Sequence, residues 1–338
     1  MDYNYLLDHA KGALFGQAIG DSFGIPALLR PEDTEKVFGW ITRFETPTLD
    51  HPAHAGFPAG HITDDTEQAI TLAQIFLRDR KVTVEGTAEG ICAWYDRIDG
   101  DNSVYVGPST RKAVNALKGG KDPHTTGFAG DTNGSGMRVS PVGIMNAGNP
   151  DNAAAEALQS CVPSHYTYAA VAGTCAVAAA IARGMMPGAT IDDMIQEGIK
   201  QAEANFFKAH PWFASNVSRK IELGVSIARD SSRTLKQKLY DIYDFIGGGF
   251  LADQAIPSAF ALLALGEGDV MKTAEYAVNM SGDADTIGAM AFAMAGAYAG
   301  FHTIPEDVIK TVETVNPEWP FEETAKGLCD LAWERLGN

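Results

Sequence analysis

Thiols are scarce in this chain. Its 338 residues include four cysteines, Cys92, Cys161, Cys175 and Cys329, and no Cys-x-x-Cys pair. Three sit beside alanine or in apolar context (Cys92-Ala93, Thr174-Cys175-Ala176, Leu328-Cys329), the setting of small buried side chains. This length and spacing argue against a disulfide framework, so a reducing compartment is expected. Cations are scarce as well: 26 Lys and Arg stand against 43 Asp and Glu, a formal charge of -17, and no basic run exceeds two residues. Displacing counterions from phosphates needs clustered Lys and Arg, so neither nucleic acid nor an anionic membrane surface is expected as a partner. Long apolar runs are missing too. The most apolar stretch, Tyr168 to Ile181, is Ala-rich and too short to span a bilayer. Met1-Asp2-Tyr3-Asn4-Tyr5 shows no cationic start followed by an apolar core. A cytoplasmic protein is expected.

Alternating strand patterns are nearly absent, whereas apolar residues recur at helical spacing along most of the chain. The pattern predicts helices over 6–20, 64–77, 84–98, 166–183, 191–207, 217–229, 234–245, 254–265, 269–279, 285–298, 306–314 and 322–335. Their Ala and Gly content permits close helix–helix approach. The expectation is an all-α fold forming a single domain over residues 1–338. Two stretches lack periodicity: Arg30 to Gly60, with Pro31, Pro47, Pro52 and Pro58, and the glycine-rich Gly119 to Pro141. Unstructured segments of that length inside a compact domain are usually functional or mobile.

Two acidic clusters open helices. Thr63-Asp64-Asp65-Thr66 precedes one apolar run, and Gly282-Asp283-Ala284-Asp285-Thr286 precedes another. Helix capping by itself accounts for an Asp at such a place, and Asp64 with Glu67 fits a capping box. Capping does not need two acids and a threonine, however. Both clusters offer only hard oxygen donors, which suit Mg²⁺, Mn²⁺ or Ca²⁺ rather than Zn²⁺. If the two helix starts converge, four carboxylates meet, and bound cations make that charge density tolerable. The glycine loop from Gly127 to Arg138 presents backbone N–H groups and Ser135, suited to a phosphate, without the Gly-Lys-Ser/Thr of a P-loop. A plain glycine-rich turn reads the same way.

Taken in order, Gly16-Gln17-Ala18-Ile19-Gly20-Asp21-Ser22-Phe23-Gly24, Thr63-Asp64-Asp65-Thr66, Asn133-Gly134-Ser135-Gly136-Met137-Arg138 and Gly282-Asp283-Ala284-Asp285-Thr286-Ile287-Gly288 resemble the motif series of the ADP-ribosylglycohydrolases. These include the dinitrogenase-reductase-activating glycohydrolases, and the resemblance spans residues 10 to 300. It implies an all-α fold with a centre of two ions, Mg²⁺ or Mn²⁺, at the base of a cleft. It implies metal ligation by Thr63, Asp64, Asp65, Asp283, Asp285 and Thr286. Asn133, Gly134, Ser135 and Gly136 resemble the segment that wraps the diphosphate and adjoining ribose of ADP-ribose. His165 resembles a cleft histidine, and a core histidine is the other reading of it. Phe128 is read as a loop anchor or a base-stacking ring. Many relatives carry a glutamate seven residues after the Gly-Asp aspartate; counting from Asp21 reaches Leu28, with Glu32 and Asp33 nearby. The segment 38–60, with His51, His54 and the neighbouring His61, looks particular to one branch: a pocket rim, or a loop pinned by Phe38, Trp40 and Phe44.

The expected chemistry is metal-assisted hydrolysis at a ribose anomeric carbon. Asp64, Asp65, Asp283 or Asp285 would take the proton of the attacking water, and nearby negative charge would stabilise an oxocarbenium-like transition state. No Gly-x-Ser-x-Gly nucleophile elbow is present. The expected partner is an ADP-ribosylated protein or a small ADP-ribosyl or nucleoside substrate. A nucleoside N-glycosidase and a non-catalytic ADP-ribose-binding module are the alternatives.

Overall fold

The computed structural model describes residues 2–337. Helices α1 (Tyr3–Gly24), α2 (Pro31–Phe38), α3 (Asp64–Asp79), α4 (Val84–Arg97) and α5 (Pro108–Lys118) form the first third. Then come α6 (Ser140–Met145), α7 (Pro150–Cys161), α8 (Tyr168–Gly184), α9 (Ile191–Asn205), α10 (Val217–Arg229) and α11 (Leu235–Asp241). Last are α12 (Ala252–Gly266), α13 (Val270–Met280), α14 (Ala284–Ala299), α15 (Glu306–Val315) and α16 (Phe321–Arg335). Among the described residues no strand forms; two isolated bridges, Thr132 with Leu251 and Thr167 with His210, tie loops together. The all-α expectation holds. No helix among the described residues is long and apolar enough to cross a membrane.

Four helices were not legible from periodicity. α2 and α5 are short and mostly polar, and few of their residues are buried. α6 is a six-residue piece buried all round, so it has no polar face to create a pattern. α7 buries only small residues, Ala153, Ala154, Ala157, Ser160 and Cys161. Each of the four has proline in its first turn, where the missing N–H costs no hydrogen bond. The helix expected over 234–245 is instead α11 followed by a π-helical turn, Ile242–Ile246.

The centre of the fold is the pair α1 and α14. Gly12, Gly16, Gly20 and Gly24 recur every fourth residue, so they form one stripe along α1. A Cβ at Gly12 would lie 2.3 Å from the Gly296 carbonyl oxygen, one at Gly16 2.6 Å from that of Phe292, and one at Gly20 2.2 Å from that of Gly288. At Gly24 it would lie 2.1 Å from the Asp285 nitrogen. The two backbones therefore touch, which only glycine permits. This contact fixes Asp21, near the end of α1, beside the start of α14.

The Ala-rich α8 is buried on nearly every side, as its composition predicts. Segment 39–60 is fastened to the body. Phe44 packs on Phe23 with ring centroids 4.9 Å apart. Trp40 Nε1 donates to Glu275 at 2.6 Å, and Asn279 exchanges two hydrogen bonds with the Ile41 backbone.

Candidate active site

Asp21 organises the first acidic cluster from another helix. Its buried carboxylate accepts from Thr63 N (2.9 Å), Thr63 Oγ1 (2.8 Å), Thr66 N (3.2 Å) and Thr66 Oγ1 (2.6 Å). It thus caps α3 in trans, and Thr63, the residue at the cap position, makes no side-chain cap bond of its own. The capping box expected for Asp64 and Glu67 does not form. Glu67 instead accepts from Trp94 Nε1 at 2.9 Å and Tyr105 Oη at 3.3 Å. Asp64 and Asp65 are thereby relieved of capping.

The second cluster enters through a forced turn. Ser281 and Gly282 have φ of 68° and 77°. Gly282 N donates to the Leu28 carbonyl at 2.9 Å and Asp283 N to that of Gly248 at 2.8 Å. A Cβ on Gly282 would lie 2.1 Å from the Gly248 oxygen, so glycine is required here. Asp283 makes no cap bond to α14; its Oδ2 accepts from Asn133 Nδ2 at 2.5 Å. Asp285 Oδ2 lies 3.3 Å from His54 Nε2.

The two clusters do converge. Asp64, Asp283, Asp285 and Thr286 line one cavity of about 220 Å³, together with His54 and Asn133. A larger cavity of about 570 Å³ adjoins it and shares Ala53, His54, Phe250, Asp283 and Asp285. Burial pushes the Asp64 and Asp65 carboxyls well above the usual range, Asp285 adding to the rise at Asp64 and Asp21 to that at Asp65. Burial also raises Asp285, and it raises Asp21 and Asp283 to about 7. Asp65 Oδ1 is buried without a hydrogen-bond partner.

The hard oxygen donors of the two clusters, their mutual repulsion and an orphaned carboxylate oxygen all fit a divalent cation. Among the described residues, no three His, Cys, Asp or Glu side chains are already arranged to enclose an ion. With Asp283 held by Asn133, closing around a cation requires that carboxylate to turn.

The glycine loop divides into a face and a support. Asn133 and Gly134 line the smaller cavity. Ser135 and His165 are wholly buried: Ser135 Oγ bonds Thr174 Oγ1 at 2.7 Å, and His165 bonds Thr132 Oγ1 at 3.0 Å and Ser164 Oγ at 2.8 Å. A Cβ on Gly134 would lie 2.7 Å from His165 Nε2, so the imidazole is the floor on which the loop rests. Gly136 faces Ile256 and Met290 in the core. Phe128 stacks on His210, with centroids 4.4 Å apart, in the anchoring arrangement.

Three further residues shape the site without having been singled out for it. Asp21 lies in the Gly16–Gly24 motif and Arg138 ends the Asn133–Arg138 motif, where sequence alone assigns neither a role. Arg138, fully buried, donates to Gln68 Oε1 and Ser164 Oγ, each at 2.6 Å, and Gln68 donates to Asp64 Oδ2 at 3.2 Å. This chain links the floor of the glycine loop to the start of α3. Around Leu28, Glu32 pairs with Arg30 in the solvent, whereas Leu28 and Asp33 line the larger cavity.

A family model described as ADP-ribosylglycohydrolase matches residues 2–336. The chain is 33% identical over 331 residues to the uncharacterized protein YegU of Escherichia coli (strain K12), covering 96% of this chain and 97% of that one. It is 24% identical over 344 residues to ADP-ribosylhydrolase ARH3 of Mus musculus, covering 93% and 88% respectively. A solved structure, an ADP-ribosylglycohydrolase-related protein complex, shares the fold with a TM-score of 0.70 at 22% identity, over 97% of this chain and 99% of that one. The chain belongs to the ADP-ribosylglycohydrolase family, a family of glycosidic-bond hydrolases.

Proposed function

We propose that this chain is a divalent-cation-dependent hydrolase that releases ADP-ribose from an ADP-ribosylated acceptor. The observation that carries the reading is the meeting of two acidic helix starts, relieved of capping, beside a glycine loop in a chain of this family. Thr63, Asp64, Asp65, Asp283, Asp285 and Thr286 would hold two Mg²⁺ or Mn²⁺ ions. Bound there, the ions supply Lewis acidity and lower the pKa of water. The protein does the rest. Asn133 and Gly134 present the loop to the diphosphate and ribose, held in shape from below by Ser135 and His165. Whichever of Asp64, Asp65, Asp283 and Asp285 is least committed to a cation takes the proton of the attacking water. The enclosed negative charge stabilises the positive charge that develops on the sugar. The four free cysteines suit a reducing, cytoplasmic setting.

A second reading, an N-glycosidase acting on nucleosides or small ribosyl compounds, is favoured by one observation. The larger cavity beside Asp283 and Asp285 has Leu28, Leu29 and Val37 in its wall, which suits an apolar, flat leaving group.

Metal-stripped protein, with Mg²⁺ or Mn²⁺ restored, separates these readings on ADP-ribosyl-arginine, ADP-ribosyl-serine peptides and nucleosides followed by mass spectrometry. Cation-dependent appearance of ADP-ribose is the expected result. Release of a free base alone moves the assignment to the second reading. No turnover on any substrate contradicts both and leaves a binding module.

A further inference from the structure

His54 lies among the proposed cation ligands although no metal motif contains it. It lines the smaller cavity with Asp64, Asp283, Asp285 and Thr286, and it is 7% exposed. Its ring is held in a defined orientation. Nδ1 faces the Ile25 carbonyl oxygen at 3.3 Å. A carbonyl only accepts, so Nδ1 carries the proton and Nε2 is the free nitrogen of the neutral ring. The backbone beneath is fixed by a second histidine. His54 N donates to His51 Nδ1 at 3.0 Å, and His51 Nε2 donates to the Ala27 carbonyl at 3.0 Å. The two rings stack with centroids 4.9 Å apart.

Nε2 then points its lone pair at Asp285 Oδ2, 3.3 Å away. Two lone-pair donors at that distance repel unless a proton or a cation stands between them. A ring whose second nitrogen donates to a backbone carbonyl is the arrangement that orients metal-bound histidines. The buried, unpartnered Asp65 Oδ1 is an independent sign that the cluster lacks a cation-sized partner.

We propose that His54 Nε2 is a ligand of the cation centre, making this a mixed nitrogen–oxygen site that prefers Mn²⁺ to Mg²⁺. The inference rests on the cation-dependent reading above. Mg²⁺ takes oxygen donors almost exclusively, whereas first-row transition ions accept imidazole readily. Segment 39–60 therefore supplies a ligand as well as a rim.

Pulsed electron paramagnetic resonance on metal-stripped protein given sub-stoichiometric Mn²⁺ tests the bond directly. The expected spectrum of the unaltered protein shows imidazole nitrogen coupling, and His54→Gln loses it. By calorimetric competition, His54→Gln lowers the Mn²⁺-over-Mg²⁺ preference by about tenfold or more. Bound Mn²⁺ without nitrogen coupling overturns the proposal while leaving the cation-dependent reading intact. Coupling that persists in His54→Gln overturns it as well. Absence of any Mn²⁺ binding defeats both readings. The first spectrum needs no variant, so a folding defect cannot mask the answer.

Discussion

Replacing Asp64 or Asp285 with alanine is expected to cut turnover by on the order of 10³-fold, equivalent to ~4 kcal/mol at ~1.4 kcal/mol per tenfold. The far-UV helical signal should survive. Neither side chain caps its helix: Asp21 caps α3, and α14 starts without a side-chain cap bond. Both carboxyls are held above their usual range by burial, so in the metal-free protein the repulsion relieved by removing one offsets the few hydrogen bonds lost, such as the one Gln68 donates to Asp64. The loss should therefore fall on cation binding and rate, not on stability. Glu32→Ala serves as the control, since Glu32 lies in solvent and pairs only with Arg30; its rate should be unchanged. Steady-state assay of the three variants on the substrate that the unaltered protein cleaves decides the matter. Full activity in both Asp variants would remove the proposed site.

The other large effect is on folding. Gly20→Ala places a methyl group 2.2 Å from the Gly288 carbonyl oxygen and 2.5 Å from its carbon. Both obstacles are backbone in the most closely packed helix pair, so no rotamer change relieves them. The helices must separate, at a cost of ~3 kcal/mol or more. Asp21 follows Gly20 directly, so the same shift moves the residue that caps α3 relative to Asp285. Thermal unfolding should show a large loss or insoluble protein, and surviving material should have reduced activity. Gly107→Ala is the matched stability control. Gly107 has φ of -58° and open space around its Cβ position, so the change should stay within about 1 kcal/mol. An unaltered melting temperature in Gly20→Ala would contradict the packing.

These two predictions mark what the sequence carries and what it withholds. The helical class was legible because apolar residues at 3.6-residue spacing run through α1, α3, α4 and most later helices. The glycine stripe of α1 was visible as composition, but its partner in α14 lies more than 250 residues away. Nothing local encodes that contact. The short polar helices α2 and α5 carried only their prolines as a signal, because few of their residues face the core. In the site, the acidic clusters were legible because a hard-oxygen donor set at two helix starts exceeds what caps need. Their release from capping was not, since it depends on Asp21 reaching Thr63 and Thr66 across helices. Ser135 and His165 show a related limit: sequence places Ser135 in the loop and His165 in the cleft or the core, and only packing shows that they hold the loop from beneath. His54 sits in a segment without periodicity, where no spacing ties it to Asp285.

The most direct test of the cation centre is thermal unfolding of metal-stripped protein, with and without Mn²⁺, between pH 6.5 and 8.5. Unfolded aspartates lose their protons near 3.8, whereas folded Asp21 and Asp283 keep theirs to about 7, and Asp64 and Asp65 titrate well above the ordinary range. Through this window the folded state binds more protons than the unfolded one, so stability falls as pH rises, by up to ~1.4 kcal/mol per pH unit for each proton. The buried His9, His54 and His165 and the half-buried His51 are lowered by burial and act in the opposite sense, but only below the ordinary histidine value of 6.5. The metal-free melting temperature should therefore drop by ~2 °C per pH unit for each proton. Mn²⁺ should raise it, and most at pH 8.5, where protons no longer compete for the carboxylates. A melting temperature indifferent to Mn²⁺ across the window would contradict a cation centre built from Asp64, Asp65, Asp283 and Asp285.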